Sequence, residues 1–193
     1  SHIKYGEANA ILAGDALQAL SYEIISDDND LSSNEKIIAI KSLASACGKN
    51  GMVYGQYLDI ESESKLIDKG SIENIHSLKT GKLMECSVMF GQIGNTNKKA
   101  KEILNSYGKK IGLAFQITDD ILEITSDRET LGKSTDSDIK NHKSTYASVV
   151  GINYAIKKSK SLSENAIADI ETLSSAKADM LIELAKYIAY RDK

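Results

Sequence analysis

The chain of 193 residues contains no proline, and this absence limits its fold more than any other feature of the sequence. Proline is the strongest breaker of a helix interior, so a chain without it can form long, uninterrupted helices. No stretch alternates apolar and polar residues with the period of two that a half-buried strand shows. The sequence therefore predicts an all-α fold. Its 41% of hydrophobic residues are enough to bury the core of a single helical domain over residues 1–193.

Charge and hydropathy argue against several classes of partner. Lys and Arg total 24 against 27 Asp and Glu, a net charge of −3, which gives no reason to expect nucleic acid or an anionic membrane. No apolar run approaches the roughly eighteen residues of a membrane span, and we expect no stable membrane anchoring. Cys47 and Cys86 lie in apolar, helix-like surroundings without a CxxC spacing. They indicate small buried hydrophobes of a reduced, cytoplasmic protein.

The spacing of apolar residues predicts helices along most of the chain. They cover residues 6–25, 34–47, 52–60, 71–90, 97–125, 145–158, 162–173 and 177–193. The first helix is apolar on most sides, which is typical of burial in the core or at a subunit contact. Asp27, Asp28 and Asp30 follow it among Ser and Asn residues and are interpreted as a solvated turn. Ser32 and Glu35 form a capping box that opens the next helix.

One predicted helix carries an unusual set of polar residues, in the stretch AFQITDDILEIT at 114–125. Read at about 100° per residue, a single face holds Gln116, Asp119, Asp120 and Glu123. Adjacent carboxylates in an apolar setting are costly to bury unless a cation or hydrogen bonds compensate them. Their hard oxygens suit Mg²⁺, which keeps several water ligands and is usually also coordinated by substrate phosphates. The stretch therefore indicates either a Mg²⁺ site that binds a polyphosphate or a helix edge whose acids face water.

Other polar residues leave structural and functional interpretations open. Lys79 and Lys82 lie on the helix predicted at 71–90, where a surface position is the default for a lysine. His76 is more often a hydrogen-bonded structural histidine than a metal ligand, since no second His or Cys stands at metal spacing. Residues 126–143 form a long polar connection, which in an all-helical protein is more often functional than idle.

Six stretches, in order along the chain, resemble the trans-isoprenyl diphosphate synthases, and most closely the bacterial farnesyl diphosphate synthases (geranyltranstransferases). They are GEANAILAGDALQAL at 6–20, GQYLD at 55–59, HSLKTGKL at 76–83, GLAFQITDDILE at 112–123, LGKSTDSD at 131–138 and HKSTYASVVG at 142–151. Each is weak alone, but KTG, FQxxDD, LGK and KSTY in this order are a strong signal. The acidic stretch is similar to the second aspartate-rich motif of the family, DDxxD, with Glu123 where the family usually has Asp.

The resemblance implies an isoprenoid-synthase-type helical bundle around a central cavity, in which two aspartate-rich motifs face each other and hold Mg²⁺. The implied reaction joins an allylic diphosphate, dimethylallyl or geranyl, to isopentenyl diphosphate and releases pyrophosphate. Farnesyl diphosphate is the product that the resemblance favours. It also implies a homodimer, which agrees with the apolar helix predicted at residues 6–25.

The resemblance also assigns roles to individual residues. Asp119 is the implied main metal ligand, with Asp120 and Glu123 nearby. The cations implied for the allylic diphosphate are Lys79, Lys133 and, more weakly, Lys143. Oxygen dipoles of Thr80 and Gln116, with the Lys79 backbone carbonyl, are implied to face the allylic cation.

Part of the family pattern does not occur in this sequence. The first aspartate-rich motif, the arginine pair after it and the basic isopentenyl diphosphate site would all precede His2. We therefore expect residues 1–193 to be the C-terminal portion of the enzyme and to be inactive alone. The alternatives are a non-catalytic helical subunit of a prenyl synthase and a geranylgeranyl diphosphate synthase. A terpene cyclase is less favoured, because the KTG and LGK stretches indicate chain elongation.

Overall fold

A computed structural model describes residues 2–131, 144–173 and 178–191, with side chains described outside 126–131. These residues are mostly helical and contain no β-strand, which confirms the all-α prediction. In order, the helices are α1 (His2–Tyr5), α2 (Glu7–Asp27), α3 (Ser33–Cys47), α4 (Met52–Glu61), α5 (Lys69–His76), a π-helical turn (Ser77–Gly81), α6 (Lys82–Phe90), α7 (Lys98–Leu131), α8 (Tyr146–Val150), α9 (Ile152–Glu171) and α10 (Asp179–Tyr190). Among them, none has the length and apolar character that crossing a membrane requires.

The chain divides into two compact units, residues 1–44 and 45–193, so the single domain stays a prediction. In the first unit, α2 has no buried residue. Its apolar side chains Ile11, Leu12 and Leu17 are 65%, 64% and 66% exposed. Burial of this helix in the core was therefore a wrong expectation, whereas a subunit contact stays a prediction. The pattern misled because apolar residues occupy most of its sides, so no face is marked as inward.

The connection from α2 to α3 has the structure that its sequence predicts. An oxygen of Asp28, Oδ1, accepts hydrogen bonds from the backbone N–H groups of Asp30 at 2.8 Å and Leu31 at 3.1 Å. One oxygen of Glu35 accepts from the backbone N–H of Ser32 at 2.8 Å and from its hydroxyl at 2.6 Å. These short-range bonds complete the turn and satisfy donors that would otherwise be unpaired at the start of α3.

Helix α7 is the central element of the second unit. Its residues Tyr107, Ile111, Ala114 and Ile117 recur every three or four positions and are at most 1% exposed. They belong to the two apolar clusters that α7 forms mainly with α9, α10 and the α5–α8 pair. The Tyr107 hydroxyl donates to the Leu181 carbonyl on α10 at 2.7 Å. This packing fixes the axis of α7 and therefore the position of the polar stretch further along it.

The boundaries of α8 and α9 differ from the prediction. The predicted break near residues 159–161 does not exist, because α9 continues from Ile152 to Glu171. One polar residue there faces inward: Ser159 is 2% exposed and shares a 2.6 Å hydrogen bond with Thr118 on α7. The actual break is at Gly151, whose φ of 86° is a conformation that glycine adopts readily and other residues rarely do.

Candidate active site

Two residues implied for the site are in direct contact. The Thr80 hydroxyl donates to the Gln116 side-chain oxygen at 2.5 Å, and both residues are partly buried. The contact depends on Gly112, because a Cβ atom added to it would lie 2.7 Å from the Cα atom of Gly81. Helix α7 thus meets the π-helical turn backbone to backbone, one turn before Gln116.

The segment that carries Lys79 and Thr80 is not the regular α-helix that the sequence predicts. Residues Ser77–Gly81 form a π-helical turn between α5 and α6. Such turns are rare, occur mostly as single insertions in α-helices and are frequent at functional sites. The insertion changes the direction in which the following side chains project, which no apolar periodicity reports.

Lys79 forms an ion pair with an acid that received no role from the sequence. Its ammonium nitrogen lies 2.6 Å from Oδ2 of Asp59 on α4, and the two side chains are 28% and 12% exposed. The Asp ends the stretch GQYLD, one of the six that carry the family resemblance. That stretch was the signal from which Asp59 could have been selected.

Asp119, the implied main metal ligand, lies 39% exposed on α7 and is contacted by the guanidinium of Arg191. Arg191 follows α10 and also stacks over the Phe115 ring, 4.3 Å from its centroid. Burial raises the pKa of Asp119 above its usual range, and the guanidinium opposes that rise. Sequence reasoning missed Arg191, because only the return of α10 along α7 brings it to this carboxylate.

Asp120 is turned toward the protein interior. It is 7% exposed, and its Oδ2 accepts a hydrogen bond from the Tyr146 backbone N–H at 2.6 Å. The same oxygen lies 3.4 Å from Nε2 of His76, which agrees with the structural interpretation of that histidine. The Tyr146 hydroxyl in turn donates to Glu73 at 2.8 Å. Asp120 therefore links α7 to the start of α8.

The other residues implied for the site are Glu123, Lys133 and Lys143. Glu123 is exposed, one turn beyond Asp119 and Asp120 on α7. Lys133 and Lys143 lie outside the described residues, so their place at the site stays a prediction.

The donors present fit a metal ion that is shared with a substrate. Within residues 2–131, 144–173 and 178–191, no three His, Cys, Asp or Glu side chains converge as a metal-binding group. Asp119 and Glu123 instead offer carboxylates one turn apart, one partly buried and one exposed. Mg²⁺ typically takes one or two carboxylates and completes its shell with water and phosphate oxygens. This set of donors is typical of such a shared Mg²⁺ ion and not of a metal ion that is coordinated by protein ligands alone.

Known proteins resemble the chain over its whole length. Residues 1–184 match the family Polyprenyl synthetase. The chain is 42% identical to the farnesyl diphosphate synthase of Escherichia coli, over 100% of this chain and 66% of that protein. It is 38% identical to a chloroplastic geranylgeranyl pyrophosphate synthase of Capsicum annuum, over 100% of this chain and 53% of that protein.

A solved structure agrees with these relatives. The crystal structure of a geranyltransferase from Helicobacter pylori, complexed with magnesium and isoprenyl diphosphate, superposes with a TM-score of 0.79 at 31% identity. The match covers 97% of this chain and 61% of that one, so the chain spans about two thirds of its relatives' length or less. The fold is thus that of the isoprenyl diphosphate synthases, as predicted, and the chain belongs to the polyprenyl synthetase family.

Proposed function

We propose that the chain supplies the second aspartate-rich side of a prenyltransferase active site. The enzyme condenses dimethylallyl diphosphate with isopentenyl diphosphate to give geranyl diphosphate, and geranyl diphosphate with a second isopentenyl diphosphate to give farnesyl diphosphate. Each condensation releases one pyrophosphate. The observation that carries the proposal is the 2.5 Å hydrogen bond between Thr80 and Gln116. It joins the turn that holds Lys79 to the helix that holds Asp119, so that cation, neutral oxygens and carboxylate belong to one assembly.

The proposed reaction needs opposite electrostatic environments at the two ends of the allylic substrate. The allylic C–O bond breaks, and its electron pair leaves with pyrophosphate. The allylic carbon then bonds to the double bond of isopentenyl diphosphate, and the new cation loses a proton to the departing pyrophosphate. Charge placed in advance around the leaving group lowers the barrier of the first step.

The residues of this chain supply both environments. Lys79, with Lys133 and Lys143 as further proposed cations, binds and neutralises the diphosphate. Thr80 and Gln116 offer oxygen dipoles to the allylic cation, as does the Lys79 backbone carbonyl. These neutral oxygens stabilise positive charge without competing for the proton, so the proposal includes no side-chain general base.

We include Mg²⁺ as the cofactor, with Asp119 as its main protein ligand and Asp120 and Glu123 nearby. When bound, the ion would neutralise charge on the pyrophosphate leaving group. Asp119 is the favoured ligand, because its carboxylate is only partly buried, whereas Asp120 accepts the Tyr146 N–H at 2.6 Å.

Two further features belong to the proposal. The exposed apolar side chains of α2 support a homodimer, because large apolar surfaces of this kind usually mark protein contacts. We also propose that activity requires the first aspartate-rich motif, which the 193 residues do not contain. The length of the relatives supports this, since the chain covers 66% of the Escherichia coli synthase.

The proposal is tested by product analysis of the full-length protein with isopentenyl and dimethylallyl diphosphates and Mg²⁺. Farnesol is the expected product after dephosphorylation. Geranylgeraniol would support the second candidate, a geranylgeranyl diphosphate synthase, which the Capsicum annuum relative favours. Absence of any prenyl product would contradict the proposal and favour a non-catalytic subunit. Product from the 193-residue chain alone would contradict the expected inactivity.

A matched pair of variants on α7 tests the metal-binding assignment. Asp119→Ala removes the main proposed ligand. We expect the reaction barrier to rise by about 3–4 kcal/mol, which lowers turnover several hundredfold. Glu102→Ala removes an exposed acid from the same helix and should leave turnover unchanged. Near-normal turnover of Asp119→Ala in saturating Mg²⁺ would contradict the assignment.

A further inference from the structure

We propose that Asp59 is a positioning residue, which holds the ammonium group of Lys79 where it meets the diphosphate. The inference rests on the proposed function, because it takes Lys79 as a diphosphate-binding cation. It gives helix α4, outside the acidic stretch and the π-helical turn, a part in building the site.

The ion pair is the first observation that supports this role. The Lys79 nitrogen and Oδ2 of Asp59 are 2.6 Å apart, and the side chains are 28% and 12% exposed. Exposed ion pairs restrict their side chains little, because water competes for both charges. Here most of the water is excluded, so the contact restricts a lysine that has four rotatable side-chain bonds.

The backbone of α4 fixes the other end of the same lysine. A Cβ atom added to Gly55, one turn before Asp59, would lie 2.2 Å from the backbone nitrogen of Lys79 and 2.6 Å from its Cα atom. Helix α4 therefore contacts the π-helical turn at the backbone of Lys79. Gly55 sets where the lysine backbone lies, and Asp59 sets where its ammonium group lies.

The end of α4 is itself closed by hydrogen bonds. The Ser62 hydroxyl donates to the Asp59 carbonyl at 2.7 Å, and the Ser62 backbone N–H donates to the Leu58 carbonyl at 3.0 Å. These bonds satisfy carbonyls that a helix end otherwise leaves to water. They keep the last turn of α4 helical, so the carboxylate that meets Lys79 is carried by ordered backbone.

The contact partner identifies the role as positioning. Asp59 contacts the ammonium group of a side chain that binds substrate, and its effect on the reaction passes through that group. Its removal should leave Lys79 more mobile and weaken diphosphate binding about tenfold, a typical loss when a supporting contact is removed. Asp59→Asn keeps one oxygen acceptor of the same shape and should lose less than Asp59→Ala.

The experiment measures two quantities in the full-length protein. The first is KM for the allylic diphosphate, and the second is the Kd of inorganic pyrophosphate in the presence of Mg²⁺, by calorimetry. Asp59→Ala should raise both about tenfold, and Asp59→Asn should rescue part of the loss. Glu61→Ala is the matched control on α4, because its ion pair with Lys65 is 56% and 63% exposed, and it should change neither.

A double-mutant cycle separates positioning from a merely structural role. In a Lys79→Ala background, Asp59→Ala should cause no further loss of pyrophosphate affinity, because its effect passes through the missing lysine. The inference is overturned if the loss is the same in both backgrounds, or if Asp59→Ala leaves pyrophosphate affinity unchanged. Calorimetry needs no turnover. A protein that makes no prenyl product would therefore contradict the proposed function while the cycle still tests Asp59.

Discussion

Replacement of Gly112 by alanine tests whether direct backbone packing builds the candidate site. The added Cβ atom would lie 2.7 Å from the Cα atom of Gly81, about 0.7 Å closer than ordinary contact, which begins at 3.4 Å. Both atoms belong to or adjoin the backbone, so no side-chain rotation relieves the overlap. Helix α7 and the π-helical turn must separate.

Two opposing terms give the expected size of the effect. Alanine is favoured over glycine in a helix interior by about 1 kcal/mol. Overpacking of a well-packed contact costs about 1–3 kcal/mol, and the backbone position of this overlap places it toward the upper end. We therefore expect Gly112→Ala to lower the free energy of unfolding by about 1–2 kcal/mol. The separation should also weaken the hydrogen bond between Thr80 and Gln116.

Urea unfolding followed by circular dichroism measures this difference, with two other glycines as controls. A Cβ atom on Gly108, also on α7, would lie 3.0 Å from the Glu85 Cα atom, and one on Gly14 of α2 would have nothing within 4 Å. The propensity gain is the same at all three sites, so Gly108→Ala should cost less than Gly112→Ala, and Gly14→Ala should stabilise its helix. Gly112→Ala at or above wild-type stability would refute the reasoning.

Three further predictions concern contacts around the site. Arg191→Ala should strengthen Mn²⁺ or Mg²⁺ binding, measured by calorimetry, because the guanidinium contacts the carboxylate of Asp119 that the metal would use. Burial raises the pKa of the Cys86 thiol to about 11, so at pH 8 about one molecule in a thousand holds the reactive thiolate, and a disulfide reagent should label it slowly until the protein unfolds. Tyr146→Phe removes a 2.8 Å hydrogen bond from a fully buried side chain to Glu73 and should lower the free energy of unfolding by about 1.5 kcal/mol.

Each of these predictions has a control and a contradicting result. Equal metal affinity with and without Arg191 would show that the guanidinium does not compete. Cys47 is partly exposed and should react before Cys86, so the reverse order would contradict the burial argument. Tyr154→Phe changes a residue that is 45% exposed and should alter stability by less than about 0.5 kcal/mol, whereas an equal loss in both tyrosine variants would exclude burial as the cause.

The sequence by itself determined the class of fold and the chemical types at the site. Helix α3 spans Ser33–Cys47 where 34–47 was predicted, because the capping box and the apolar spacing are local signals. The shared face of Gln116 and Asp119 follows in the same way from helical period alone. The order of the six stretches indicated the family, and the match over residues 1–184 confirms it.

Only the tertiary structure decided which of these groups meet. Thr80 and Gln116 are 36 residues apart in sequence, Lys79 and Asp59 are 20 apart, and Arg191 and Asp119 are 72 apart. The first two contacts depend on how closely the chain segments approach, and Gly112 and Gly55 permit these approaches through the absence of a Cβ atom. Helical period reports which residues share a face but not which helix that face will meet. The partners of the site residues therefore became visible only when the helices were packed together.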